Sequence, residues 1–327
     1  MRTRSRRWLL AALAALGVAG CGGLITIDLS PRVRPLEEET VEGSGQAKIL
    51  LLDLSGLLQE EGASFSLTTP PPRVPLLARV REELKKAEKD NDVKALVVRI
   101  NSPGGTITAS DIIYKELRGF KERKKVPVIA AIMDVGASGG YYAALAADQI
   151  LAHPTTVTGS IGVIMLTLNA QGLLEKIGVA PMAIKSGEKK DAGSPFRPLT
   201  ADERALFQGI IDEMYGRFVR LLAESRHLPE AQVRAFADGR VYTADQALAL
   251  KLVDRIGYLD DAMAMARTAA KIESARVIMY HRPREYRSTY YAASASSPSG
   301  ESPLGQLGAL PAMMVGSGPR FFYLWWP

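Results

Sequence analysis

The sequence predicts an α/β protein: one domain, from residue 47 to about residue 280, built on a parallel sheet flanked by helices. Three observations predict it. Short, continuously apolar runs alternate with stretches whose apolar residues recur at helical spacing. The connections between them are short, a pattern that gives right-handed β–α–β crossovers and a parallel sheet. No Pro-, Gly- or Ser-rich linker divides the region, although 327 residues would on length alone suggest two domains.

The elements follow in order. Residues 22–46 are polar, with Glu37–Glu39, Pro31, Pro35 and Gly43-Ser44-Gly45, and read as a flexible tether. The run Ala47-Lys48-Ile49-Leu50-Leu51-Leu52-Asp53-Leu54 is the first buried strand. Residues 64–75, with Pro70-Pro71-Pro72, are a loop, and 76–90 a helix that ends in charge. A second strand is expected over 93–100, a turn at Asn101-Ser102-Pro103-Gly104-Gly105, and a helix over 108–123. Strands follow at 126–133, 149–152 and 181–184, with a turn and a further strand within 159–167. Helices are expected over 138–148, 171–177, 201–225, 243–252 and 260–270. Residues 281–327 form a C-terminal tail. Its 294–303 stretch is Ser/Pro/Gly-rich and reads as loop, and it ends Phe321-Phe322-Tyr323-Leu324-Trp325-Trp326-Pro327. That aromatic end can pack on a neighbouring subunit, sit at a membrane interface or form a closing strand; packing is favoured, because large exposed apolar patches are uncommon on monomers.

Composition narrows the function. Hydrophobic residues are 47% and charged residues 23%, which excludes wholesale disorder and a coiled coil. The net charge of +6 includes four arginines within the first seven residues; without them 37 basic residues face 35 acidic ones, so no nucleic-acid partner is implied. A single cysteine, Cys21, excludes an intramolecular disulfide framework. His153, His227 and His281 include no HExxH pair, and no metal or cofactor is expected.

The N-terminus carries an address. Basic residues 1–7 precede thirteen apolar residues, 8–20, too short to span a bilayer and shaped like a signal peptide. The segment ends Val18-Ala19-Gly20-Cys21, which resembles a bacterial lipobox. A lipid on Cys21 would anchor the chain without a membrane span. The plainer alternative is a secretory signal with Cys21 incidental. Gly22 leaves the choice between inner and outer membrane open.

The chemistry centres on Gly136-Ala137-Ser138-Gly139-Gly140-Tyr141-Tyr142, between an apolar strand and an Ala-rich helix. A serine at a helix start is ordinarily an N-cap. It also lies where free N–H groups stabilise negative charge. Gly104-Gly105 ends another strand, and ligands of open α/β sheets bind at such ends. Backbone N–H groups of Gly105 and Gly139 would together make an oxyanion hole. A serine nucleophile needs a base; with histidine scarce, a lysine of Lys185, Lys189 and Lys190 is the candidate, provided burial lowers its pKa.

These segments, with Gly159-Ser160-Ile161-Gly162-Val163, Lys190-Asp191, Ser194-Pro195, Gly239-Arg240-Val241-Tyr242-Thr243 and Leu252-Val253-Asp254, resemble the short form of the bacterial signal peptide peptidase SppA family over roughly residues 47–280. The resemblance implies a fold shared with Clp-type peptidases and crotonases, with a repeated ββα core. It implies a serine endopeptidase with a Ser–Lys dyad. Ser138 is then the nucleophile, Lys190 the general base 52 residues later, and Ser160 the serine that orients the lysine amine. Lys185 and Lys189 are then surface lysines. The resemblance further implies a homo-oligomeric ring or dome, exported and membrane-anchored, that degrades cleaved signal peptides or other hydrophobic peptides. Three departures stand out: Lys251 occupies a place where the family usually shows glycine, an αL-capping position, Gly136 stands where alanine is common, and the lipobox Cys21 stands where many relatives use an uncleaved transmembrane anchor.

Competing readings use the same residues. Gly136-Ala137-Ser138-Gly139-Gly140 fits G-x-S-x-G, but that mechanism needs a later histidine, and only His281 is available. Ser186-Gly187-Glu188-Lys189 fits S-x-x-K without the companion SDN or KTG motifs. A crotonase-type thioester enzyme would not need Ser138 and Lys190 together. A catalytically silent membrane-associated assembly protein would not need them at all.

Overall fold

In the computed structural model, residues 35–60, 74–283, 289 and 320–325 are described. In chain order the elements are β1 (Glu37–Gly43), β2 (Lys48–Ser55), α1 (Leu76–Lys89), β3 (Val93–Ser102), β4 (Gly104–Thr106) and α2 (Ile107–Lys124). Then come β5 (Val128–Ala137), α3 (Gly139–Ala144), β6 (Gln149–Ala152), β7 (Val157–Gly159), β8 (Ile164–Leu166) and α4 (Gln171–Lys176). After a 3-10 turn at Glu188–Asp191 come α5 (Ala201–Arg226), α6 (Glu230–Phe236), β9 (Val241–Thr243), α7 (Ala244–Ala249), β10 (Arg255–Ile256), α8 (Leu259–Ala270), β11 (Arg276–His281) and β12 (Arg320–Leu324).

The main sheet runs β1-β11-β2-β3-β5-β6-β10, parallel except where β1 joins antiparallel. The continuous apolar runs of β2 and β3 follow from two covered faces. Successive side chains point to opposite sides. Leu50, Leu52, Leu96 and Val98 therefore face one core with Val80, Ile113 and Phe218. Ile49, Leu51, Ala95 and Val97 face the other with Met263 and Ala266 of α8. The parallel, helix-flanked sheet expected from the sequence is the sheet observed.

Within that sheet β5 forks. Its first half pairs with β6, its second half (Val135–Ala137) with β7, and β7 continues to β9. A separate three-stranded sheet, β4-β12-β8, stands beside the fork. Asp53 on β2 stands opposite Arg99 of β3 and is nearly wholly buried. Burial pushes its carboxyl up, but Arg99, 2.7 Å away, and Arg79 hold it below its ordinary value.

The sequence reading departs from the structure in several places. The elements α6, β10 and β11 are unmarked in it, and the aromatic end, for which it favours packing, forms the strand β12. Residues 37–43, read as part of a tether, form an edge strand on β11; its glutamates suit an edge, where charge discourages further pairing. The turn expected at 101–105 is shorter, because Gly104–Thr106 is itself a strand paired with β12. The strand expected at 181–184 is not formed: these residues belong to no regular element, and Ile184 is 97% exposed. The helix expected over 138–148 stops at Ala144. Lys251 does adopt the left-handed backbone that its family position implied, at φ 60°.

Candidate active site

Ser138 joins β5 to α3 in a backbone that L-residues seldom adopt, φ 52° and ψ −114°. Such a conformation costs about 1–3 kcal/mol and persists only when its surroundings enforce it. Here the Ser138 N–H donates to Gly159 O at 2.8 Å, and Ser138 O accepts from Tyr142 N at 2.8 Å. The side chain is fully buried, makes no capping hydrogen bond, and its Oγ has no partner among the described residues. The ordinary role of a serine at a helix start is therefore not the one it performs. Ser138→Gly relaxes the backbone, and its expected effect is a Tm higher by about 2 °C in calorimetry, with activity lost.

Glycines wall the site. Gly104, at φ 102°, has no room for a side chain: a Cβ there would stand 2.7 Å from Gly139 N and 2.0 Å from Tyr323 O. The backbones of the β4 strand and the α3 start are thus in direct contact, and the proposed donors Gly105 and Gly139 lie in neighbouring segments. Ser102 fixes the turn before them: its hydroxyl donates to Gly56 O at 2.6 Å and accepts from Gly104 N at 3.1 Å. Ser160, also at positive φ and nearly buried, follows directly on the residue that holds Ser138 N–H.

Lys190 is elsewhere on the burial scale. It is exposed, on the 3-10 turn, and its side chain makes no hydrogen bond or ion pair among the described residues. The burial expected of a lysine base is therefore not met within the single chain. The turn itself is clamped. Arg197 donates to both carboxylate oxygens of Asp191 and to Glu203 at the start of α5, and Lys185 adds an ion pair to Asp191 at 2.6 Å. Hydrogen bonds from Arg197, then from Lys185, hold Asp191 well below the usual carboxylate range. Arg197 and the Thr200 N–H bring Glu203 down to about 2. Lys189 reaches Asp202 at 3.5 Å, and Lys185 is committed to Asp191, consistent with surface roles for both.

This clamp makes Arg197 a positioning residue for the turn that carries Lys190. Both carboxyls are depressed, so their stabilisation is complete above the ordinary carboxylate range and lost as pH falls through their folded-state values. Arg197→Ala is expected to move the acid-unfolding midpoint upward and to lower kcat about tenfold with little change in KM. Circular dichroism between about pH 5 and 2, with steady-state kinetics, checks both.

His281 ends β11, three strands from β5 in the sheet order and so ~14 Å away laterally at the usual strand spacing. Its Nδ1 lies 3.0 Å from Arg282 O. It is not placed to serve Ser138, and the Ser-His-Asp reading is set aside. Cys21 lies outside the described residues. The sequence reading missed the β4–β12 pairing and the Arg197 clamp. The acidic residues six positions to either side of Arg197 were the only signal for the second.

A strained, buried serine at a strand–helix junction, beside close-packed glycine backbones, is an arrangement suited to a serine hydrolase of α/β type. Residues 120–273 match the profile of Peptidase family S49. The chain is 37% identical to "Putative signal peptide peptidase SppA" of Enterococcus faecium, over 75% of this chain and 70% of that one. It is 38% identical to the chloroplastic serine protease SPPA of Arabidopsis thaliana, over 64% of this chain and 32% of that one. A ClpP1 mutant of Listeria monocytogenes superposes with a TM-score of 0.42 at 19% identity, over 65% of this chain and 94% of that one. The chain belongs to peptidase family S49, the SppA and protease 4 family, and is a serine endopeptidase.

Proposed function

We propose that this chain is a membrane-tethered Ser–Lys endopeptidase that degrades hydrophobic peptides, cleaved signal peptides among them. The buried, unpartnered Ser138 hydroxyl on a strained backbone carries the reading. A polar atom held dry without a partner is costly unless function uses it. In the mechanism, neutral Lys190, oriented by Ser160, takes the Ser138 proton. The alkoxide attacks the peptide carbonyl, whose oxygen is held by the N–H groups of Gly105 and Gly139. Lys190 then protonates the leaving amine, and water hydrolyses the acyl-enzyme. The name signal peptide peptidase on the Enterococcus faecium relative supports the substrate class.

The exposed Lys190 requires a partner surface. The same arm exposes Leu173, Ile177, Met182 (89%) and Ile184 (97%), more apolar surface than a lone solvated arm favours. A second copy of the chain covers it, in the ring or dome that the family resemblance implies, and so desolvates Lys190. The tether is a lipid on Cys21, with the domain on the periplasmic or extracellular side. Among the described residues no helix is long and apolar enough to cross a membrane.

The test is sedimentation combined with peptidase assay. Ile184→Asp is expected to give monomers whose kcat/KM on an apolar fluorogenic peptide falls at least about 100-fold. A fully active monomer would refute the assembly, and a wild-type chain with no peptidase activity would refute the proposed mechanism.

A further inference from the structure

One peptide group decides where the proposed donor of β4 points. The Gly105 N–H and the Gly104 carbonyl belong to the same trans, planar peptide, so they point in opposite directions. The Gly104 carbonyl accepts from Leu58 N–H at 2.9 Å, and the Thr106 N–H donates to Leu58 O at 2.8 Å. Leu58 thus lies against β4 as one residue of a parallel strand, centred on Gly105. It turns the Gly105 N–H away from itself, toward the opposite edge of β4. Gly139 stands close by: a Cβ on it would lie 3.2 Å from Gly104 Cα. The two proposed donors can meet one oxygen only while this peptide keeps its orientation.

The local sequence does not hold it there. Glycine stands on both sides of the peptide, and without a Cβ neither residue opposes a half-turn of it. A half-turn would put the carbonyl where the N–H now points. What opposes it is a closed ring of hydrogen bonds. The Ser102 hydroxyl donates to Gly56 O at 2.6 Å and accepts from Gly104 N–H at 3.1 Å. Two residues beyond Gly56, Leu58 N–H closes the ring on Gly104 O. Ser102 supplies the side chain in that ring and is wholly buried, so solvent does not compete for its bonds. Its own carbonyl lies against the start of α3: a Cβ on Gly140 would stand 2.6 Å from Ser102 O. Ser102 therefore touches both segments that carry the proposed donors.

We propose that Ser102 is a positioning residue of the oxyanion hole. Its hydroxyl, acting through Gly56 and Leu58, locks the Gly104–Gly105 peptide with its N–H toward the cleft. The proposal rests on the peptidase reading of Ser138. Removing the hydroxyl takes the partner from Gly104 N–H and Gly56 O and frees the peptide to turn. A misaimed donor weakens the hold on the transition state. It leaves the binding of uncleaved peptide as it was, because the donor is aimed at charge that develops only during reaction.

Ser102→Ala in the full chain tests this. On an apolar fluorogenic peptide, kcat is expected to fall about ten- to a hundredfold, with KM within about twofold. A peptide aldehyde reads the hole directly. Ser138 Oγ adds to its carbonyl carbon, the hydroxyl proton passes to Lys190, and the carbonyl oxygen becomes the anion that the hole holds. The inhibition constant of the aldehyde is expected to rise by the same factor as kcat falls. The Kd of an uncleaved peptide, measured in the Ser138→Ala background, is expected to be the same with and without Ser102→Ala. A general loosening of the groove would raise that Kd and KM instead, and would overturn the proposal, as would an unchanged kcat. Hydrogen exchange on the wild-type chain gives a test that needs no variant to fold. The Leu58 and Gly104 amides are expected to exchange as slowly as those of β3. Exchange of either at the rate of an unprotected loop amide would overturn the lock. A wild-type chain that neither cleaves the peptide nor binds the aldehyde would instead overturn the Ser138 reading.

Discussion

Ser138→Ala is expected to lower peptide hydrolysis by about 10⁶-fold, to the residual rate that binding and oxyanion donors alone sustain. No other hydroxyl takes over: Ser160 follows the residue that braces Ser138 and sits on its own left-handed backbone, and Ser102 is committed to Gly56 and Gly104. The variant should fold. Alanine keeps the strained φ of 52°, but a buried hydroxyl without a partner is removed, so the stability change is near zero or favourable. Unchanged thermal unfolding with lost turnover separates chemistry from folding. Undiminished turnover would show that the nucleophile lies elsewhere.

The second large effect is at Lys190. Removing a general base costs about 10²–10⁴ in rate, and Lys190→Ala is expected to fall in that range. Lys189→Ala is expected to stay within about twofold, because Lys189 pairs with Asp202 at the surface. The two residues are adjacent, both exposed and chemically identical, so a difference between them cannot come from net charge. Assaying both on one apolar peptide, at equal protein concentration, checks the assignment. Equal losses would mean that the arm acts only as a charged surface.

The buried centre of the sheet was legible in the sequence because both of its faces are covered. Continuous runs such as Leu50-Leu51-Leu52 and Val97-Val98 admit few other structures. The edges were not. Residues 37–43 look like a tether because an edge strand has one solvated side, and Glu37–Glu39 suit it. Met182 and Ile184 look like a buried strand by composition, yet they are among the most exposed apolar residues described, because composition does not say what covers a segment. Of the candidate site, Ser138, Gly105 and Gly139 were singled out because strand ends and helix starts mark them, and the structure does put them at such positions. The sequence could not locate Tyr323, whose pairing with Gly105 spans more than 200 residues and carries no local signal. Lys190 is exposed, as lysines in a polar loop ordinarily are, and the sequence carries no local signal for what would desolvate it.

The dependence of kcat/KM on pH tests the central claim most directly, because a lysine base works only when uncharged. The full chain is expected to show a rate that rises with pH along a limb set by one amine. Lys190→His, which carries a base of lower intrinsic pKa, should move that limb to lower pH, and Lys190→Ala should abolish it. The same limb at the same pH in Lys190→Ala would contradict the Ser138–Lys190 pair.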